Sequence, residues 1–538
     1  MWDQQYAPFE SVYLSALVGA IPVLVFLLGL VVLKLKGITA AAISAAVAAI
    51  VALFVFDMPF PKVVGAALYG AVSGLWPIAW IIVLAVWLYK IAVKSGQFEV
   101  IRSSIGGISA DQRIQVLLIA FCFGGLLEGA AGFGVPIAIC AALLVELGFR
   151  PIKAAMLCLV ANAGAGAYGA IGIPVIQGAK VGEVDLGELS NWMIPVIQGL
   201  TALLPLILVA ILDGWNGIRH TWPAWLVTGI VFSGAQCAVL WLAGPELTDI
   251  LPPLLAMVTL AGLTRVWQPP EIYREAGASD TRGERYSVWE IVKAWSPFYF
   301  LTGAILVWSL PWFKDLFTPG GALDFTVLSI HMPWIDGTIV AHPPVAASSV
   351  PTAAVWTVSL IGASGTAVLG AILVTGAFAR ITVPEALGQL KATVAELWRP
   401  IVLILLVLAL AYIANLSGAT AAIGLALANV GDIFPLVSPV IGWIGVFITG
   451  SVVNNNTLFA KLQAVTAQQL GVDPTLLVAS NTGGGTMAKL VSAQSIAIAA
   501  SAVGETGNES SILRSTLKYS LVFLAVVCVT VFVLSLLA

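Results

Sequence analysis

Long apolar runs separated by short polar connectors dominate the chain. They fall at about 12–35, 38–58, 63–93, 114–149, 151–178, 192–212, 223–243, 247–267, 296–312, 353–378, 400–430, 434–470, 475–503 and 517–538. Most are as long as a hydrocarbon core requires of a helix, about 20 residues. Runs such as 114–149 and 434–470 are too long for one crossing and are interrupted by glycine, which predicts helical hairpins and discontinuous helices. The pattern predicts an all-α polytopic membrane protein with about 12–14 transmembrane segments. The first run exceeds a signal-peptide core and lacks a basic flank before it, so it reads as a retained membrane helix.

The connectors orient these spans. Lys34 and Lys36, then Lys90, Lys94, Arg102 and Arg113, then Arg265, Arg274, Arg282, Arg285 and Lys293, then Arg380, Lys391 and Arg399 mark cytoplasmic loops. Connectors carrying Asp57, Glu183, Glu188, Glu246, Asp249 and the stretch 315–342 hold few basic residues and are expected outside. Alternation between these marks puts both termini outside. The loop 313–351, rich in proline, glycine and aromatics, is expected on the membrane surface, and the amphipathic stretch 384–398 at the cytoplasmic interface. The mixed-charge segment near 268–295 reads as a cytoplasmic linker between a first membrane half, 1–267, and a second, 296–538.

Composition narrows the class. Of 538 residues 60% are hydrophobic and 9% charged, with a mean hydropathy of +1.01, against about 25% charged in soluble domains. That excludes soluble, disordered and disulfide-scaffold proteins. A net charge of −3 gives no footprint for nucleic acid. The five cysteines lie inside apolar runs and read as reduced packing residues. No H-E-x-x-H or G-x-S-x-G occurs and the three histidines fall in loops, so no enzymatic activity, metal or cofactor is expected.

Two stretches resemble each other. EGAAGFG (128–134) is followed by LGFRP (147–151) and ANAGAGAYG (161–169); GSVVNNNT (450–457) is followed by LGVDP (470–474) and SNTGGGT (480–486). Flanking charges predict that the copies run in opposite directions. Paired interruptions in an inverted repeat point to a substrate site at the bilayer midplane. A broken helix frees N–H and C=O groups that hydrocarbon cannot satisfy, so breaks belong beside a polar cavity, and half-helix N-termini offer positive dipole ends to an anion. The candidates are Gly132, Gly134, Gly164 and Tyr168 at the first copy's breaks, with Asn162 and Asn481 just before a break in each copy. Ser480 and Thr482 flank Asn481. Asn454, Asn455 and Asn456 form a polar run inside an apolar stretch, and Gln494, with Ser495, closes the same pocket. The competing reading is that these glycines permit close helix packing and the asparagines bond between helices.

Charges inside membrane segments mark function. Glu128 at the first break is the candidate proton carrier, and Lys489 the candidate partner of a carboxylate. A capping role for Glu128 and a snorkelling role for Lys489 are the alternatives.

GLWPIAWIIV (74–83), YKIAVKSGQFEVIRSSI (89–105), FCFGGLLEGAAGFGVPIAI (121–139), AWSPF (294–298), GWIGVFITGS (442–451), LQAVTAQQLGV (462–472) and SAQSIAIAASAVG (492–504) together resemble the bacterial L-lactate permease family nearly end to end. The resemblance implies uptake of L-lactate, D-lactate, glycolate and similar 2-hydroxy monocarboxylates with protons, in a bacterial inner membrane. The triplet Ser480-Asn481-Thr482 is similar to the signature of hairpin-containing anion symporters, which implies an elevator-type motion. Val452, Val453, Asn454 and Lys461 depart from the family pattern, as does the Ala-Gly run after Asn162. A sodium-coupled carrier of another organic anion is the alternative, because asparagine and threonine oxygens are ligands Na⁺ would use.

Overall fold

The computed structural model describes residues 1–33, 35–132, 134–275, 286–343, 345 and 348–537. Among these, nine helices are long and apolar enough to cross a membrane, or eleven if each of two bent pairs is one span. Four shorter apolar helices, Val135–Glu146, Leu251–Val266, Ser364–Phe378 and Ala419–Ala428, accompany them. The expected 12–14 segments are reached only by counting these short helices as well. Helices dominate because a chain in lipid must satisfy each backbone N–H and C=O within the segment. The protein is a multi-pass membrane protein.

Three stretches gain detail. The stretch 384–398, expected at the cytoplasmic interface, is the start of one 35-residue helix, Val383–Ser417, which continues through Pro400. A capping box of Thr382 and Glu385 begins it. Its polar first turns are held against the helix Trp80–Lys94 by Lys90–Glu396 (2.6 Å) and by Trp87 Nε1 donating to the Ala386 carbonyl (2.9 Å). Second, two small sheets stand among the helices. Trp2–Asp3 pairs in parallel with Ile339 and Val340, and Val327–His331 pairs antiparallel with Val355–Ser359, so the apolar stretch 353–378 opens as a strand. The N-terminal segment is thereby sewn to the long loop, and Gln4 Nε2 donates to the Leu416 carbonyl at 2.9 Å. Third, residues 276–285 of the linker lie outside the described residues. Its described ends are the 268–275 stretch and the capped helix Val288–Ala294.

Each resembling stretch builds the same succession of helix, break, helix, turn, helix, break and helix. In the first, Gln112–Ala130 leads across a break to Val135–Glu146, and Pro151–Ala161 leads across another to Gly169–Gly182. In the second, Phe434–Thr449 leads to Val452–Leu470, and Pro474–Ala488 to Ala493–Ala502. One helix, Leu186–His220, touches both turns. Near its start Trp192 Nε1 donates to Asp473 of the second turn (2.8 Å); near its end the Leu212 carbonyl accepts from Lys153, just past the first turn (3.0 Å). Twenty helical residues between those points span about 30 Å, one hydrocarbon thickness. The two turns therefore lie on opposite faces of the bundle.

Candidate functional site

Four helix ends meet around one cavity because glycine and serine interrupt the chain there. Gly132 (φ +60°) and Gly134 (φ +85°) take left-handed conformations open to glycine and let Val135–Glu146 start deep in the protein. Gly450 (φ +73°) ends Phe434–Thr449, and the next helix is capped by Ser451, whose side chain accepts from Asn454 N at 3.3 Å. The second copy breaks again at Lys489–Val491, where Ser492 caps Ala493–Ala502 by accepting from Ser495 N at 3.2 Å.

A cavity of about 780 Å³ is lined by these ends and by Lys36–Thr39 and Trp398–Pro400. Its inner wall holds an ion pair between Glu128 and Lys489, 361 positions apart in the chain. Both residues are almost wholly buried. Asn162 Nδ2 donates to the other Glu128 oxygen at 2.8 Å. Gly169 lies directly against the Glu128 carboxyl and Gly166 against the Lys489 stem, so any side chain at Gly169 would displace the carboxyl. In this pair one anionic and one cationic group are balanced, and three half-helix N-termini join them in the cavity lining. An added carboxylate would find Lys489 already engaged.

The structure divides the sequence candidates. Glu128, Gly132, Gly134, Asn454, Lys489 and Gln494 line the cavity, as does Ser495. Asn162 stands behind Glu128. Gly164 packs on Leu204 and Phe121, and Tyr168 is fully buried, its hydroxyl accepting from Gln198 Nε2 at 3.2 Å. The remaining candidates form a network between helices. Asn456 Nδ2 donates to the Pro174 carbonyl and to Thr482 Oγ1, both at 2.8 Å; Asn481 Nδ2 donates to Asn456 Oδ1 at 2.9 Å. Asn455 Nδ2 donates to the Asn481 carbonyl at 3.2 Å, and Ser480 meets Ser438.

The break expected after Asn481 is absent, since Pro474–Ala488 is continuous through Gly483, Gly484 and Gly485. Those glycines serve contact: Gly484 lies on the Pro439 backbone, and the Asn481 backbone lies on Gly442 of the same neighbouring helix. Lys461 pairs with Glu183 (2.6 Å), and Glu146 with Arg102.

Sequence reasoning missed Asp249, which it assigned to an outer connector. Asp249 is 1% exposed, and Gly129, next to Glu128, is packed directly on its backbone. The acidic residue's position just ahead of the Pro-Pro that opens Leu251–Val266 was the only hint in the chain.

Broken helices converging on a cavity with a buried ion pair, inside a multi-pass bundle, define the architecture of a solute carrier. The chain belongs to the L-lactate permease family, whose sequence model matches residues 15–538. It is 47% identical to the L-lactate permease of Halalkalibacterium halodurans over 545 aligned residues, covering 100% of both chains. It is 45% identical to that of Salmonella typhi, covering 98% of this chain and 97% of the relative. With the glycolate permease GlcA of Escherichia coli it shares 43% identity over 98% of this chain and 96% of that one.

Proposed function

We propose that the protein is a proton-coupled symporter of small 2-hydroxy monocarboxylates, lactate and glycolate among them, in a bacterial inner membrane. The observation that carries this reading is the Glu128–Lys489 pair on the cavity wall. In the empty site Glu128 neutralises Lys489. An arriving carboxylate competes for Lys489 and is assisted by the N–H groups of the half-helix ends. The displaced Glu128 would then be an unpaired buried carboxylate, which costs several kcal/mol, unless it takes up a proton. Substrate and proton thus enter together, and the loaded site carries the same net charge as the empty one. We assign the substrate's 2-hydroxyl to Asn454 and Gln494, both of which line the cavity.

The names of the relatives support the substrate class. The opposite placement of the two hairpin turns supports an inverted repeat, with membrane halves at 1–267 and 296–538. Pairing of Trp2 with Ile339 supports an external N-terminus, on the face of the long loop. The test is uptake and counterflow of labelled L-lactate in proteoliposomes, with pH and Na⁺ gradients set independently. Accumulation driven by an inward proton gradient and abolished by a protonophore is expected. Full accumulation from a Na⁺ gradient at equal pH would favour sodium coupling, a reading that the partnerless amide oxygens of Asn454, Asn455 and Asn481 motivate.

A further inference from the structure

Among the described residues four more carboxyls are buried beyond Glu128; Asp111 and Glu275 pair with Arg113 and Lys153, whereas Glu246 and Asp249 have no ion pair and the symport reading gives them no role. Asp249 Oδ1 accepts from Gln236 Nε2 at 2.8 Å, while Oδ2 is buried without a partner. Glu246, three residues earlier, is 8% exposed, and its Oε2 is likewise buried and partnerless. Such groups are costly inside a membrane protein and mark proton relays there.

Their placement is ordered. The charged and titratable groups close enough to act on Asp249 are Glu128 and Lys489, and Tyr168 feels Asp249 in turn. The charge that reaches Glu246 is that of Lys314, in the helix Pro311–Asp315 that opens the long loop. Elsewhere in the cavity lining, Glu396 pairs with Lys90 (2.6 Å), whose helix leads to Gln97, the donor to the Lys293 carbonyl of the linker (3.1 Å), so that part of the cavity lies on the linker side of the bundle. Charge balance adds a constraint. Lys489 is the one cation acting at Asp249 among the described residues, and it is already matched by Glu128. An ionised Asp249 would therefore have to share that single cation with Glu128.

We infer that Glu246 and Asp249 form a proton path that reaches Glu128 from the side of the long loop, away from the linker. The inference rests on the symporter reading above. When substrate takes Lys489, the Asp249 O–H gives its proton to the freed Glu128 carboxylate. Asp249 becomes the carboxylate, held by the Gln236 N–H. A proton passed from Glu246, itself reprotonated from outer water, restores it. One proton crosses and no other bond is made or broken.

The test uses the full-length protein in lactate-loaded vesicles containing a pH dye. Asp249→Asn is expected to cut proton-driven accumulation of labelled L-lactate, and the accompanying internal acidification, by roughly a hundredfold, the low end of what positioned proton transfer contributes. Counterflow, which needs no net proton movement, persists. Asp249→Glu restores a large part of the loss, and Glu246→Gln reduces net uptake in the same direction. Wild-type accumulation by Asp249→Asn overturns the path and leaves the symporter reading standing. Parallel loss of counterflow and net uptake, unrescued by Asp249→Glu, makes Asp249 a packing residue and also overturns it. If Asp249→Asn does not fold, wild-type acidification by Glu246→Gln overturns the proposal alone. Wild-type vesicles that show no lactate counterflow overturn the symporter reading and this inference together.

Discussion

Glu128 and Lys489 hold each other, yet their substitutions should fail differently. Glu128→Gln keeps a neutral, proton-loaded mimic beside Lys489, so counterflow should survive while accumulation against a gradient disappears. Lys489→Ala removes the anion's partner and should abolish both, since a buried carboxylate without a partner is too costly to bind. Paired counterflow and gradient-driven uptake on the two variants separate these outcomes; a Glu128→Gln protein that still concentrates lactate removes Glu128 from coupling. The asparagines divide by position. Asn456→Ala strips the donor from the Pro174 carbonyl and from Thr482 deep in the bundle. It should lower stability by about 1–3 kcal/mol, the cost of a buried unmet acceptor, read as a lower thermal midpoint in detergent, with lactate affinity in the surviving protein little changed. An unaltered midpoint with weakened affinity would return Asn456 to the substrate site.

Among elements, glycine has two opposite uses, and one experiment distinguishes them. Gly484→Ala would drive a methyl into the Pro439 backbone, which cannot move like a side-chain tip. Overpacking of this kind costs about 1–3 kcal/mol or more, so the thermal midpoint should fall. Gly199, inside Leu186–His220, has open space where its side chain would be. Gly199→Ala should be neutral or slightly stabilising, because alanine is the better helix former by about 1 kcal/mol. Equal effects at both positions would contradict the packing role. This is also where the element pattern was misread. Gly483, Gly484 and Gly485 look in sequence like the Ala-Gly break after Asn162, but a helix pressed against a neighbour needs small residues just as a bend does.

On the scale of the whole molecule, Arg113 ties the linker to the first half. Its guanidinium donates to Asp111 Oδ2 (2.6 Å), Asp213 Oδ2 (2.9 Å) and the Glu271 carbonyl (2.6 Å), and lies 5.6 Å from the Tyr273 ring centroid. Arg113→Ala would leave two carboxylates without their cation in a closed site, a loss of about 3–5 kcal/mol. Expected readouts are a lower thermal midpoint and protease cleavage near 271–275; resistance equal to wild type would sink the tether.

The sequence alone determined the membrane class, the order of most spans, the paired interrupted stretches and two charges inside membrane segments, Glu128 and Lys489. These are local properties: an apolar run long enough to cross lipid, or a charge where lipid forbids one, is recognisable from its neighbours in the chain. The tertiary structure decided which glycines bend and which pack, that 383–417 is one helix, and that Asp249 packs on Gly129, the residue after Glu128. It also paired Glu128 with Lys489 across 361 positions and set the asparagine run between helices. Each of those depends on what stands opposite a residue in space, and a break, a contact or a buried carboxyl has the same sequence until its neighbour is known.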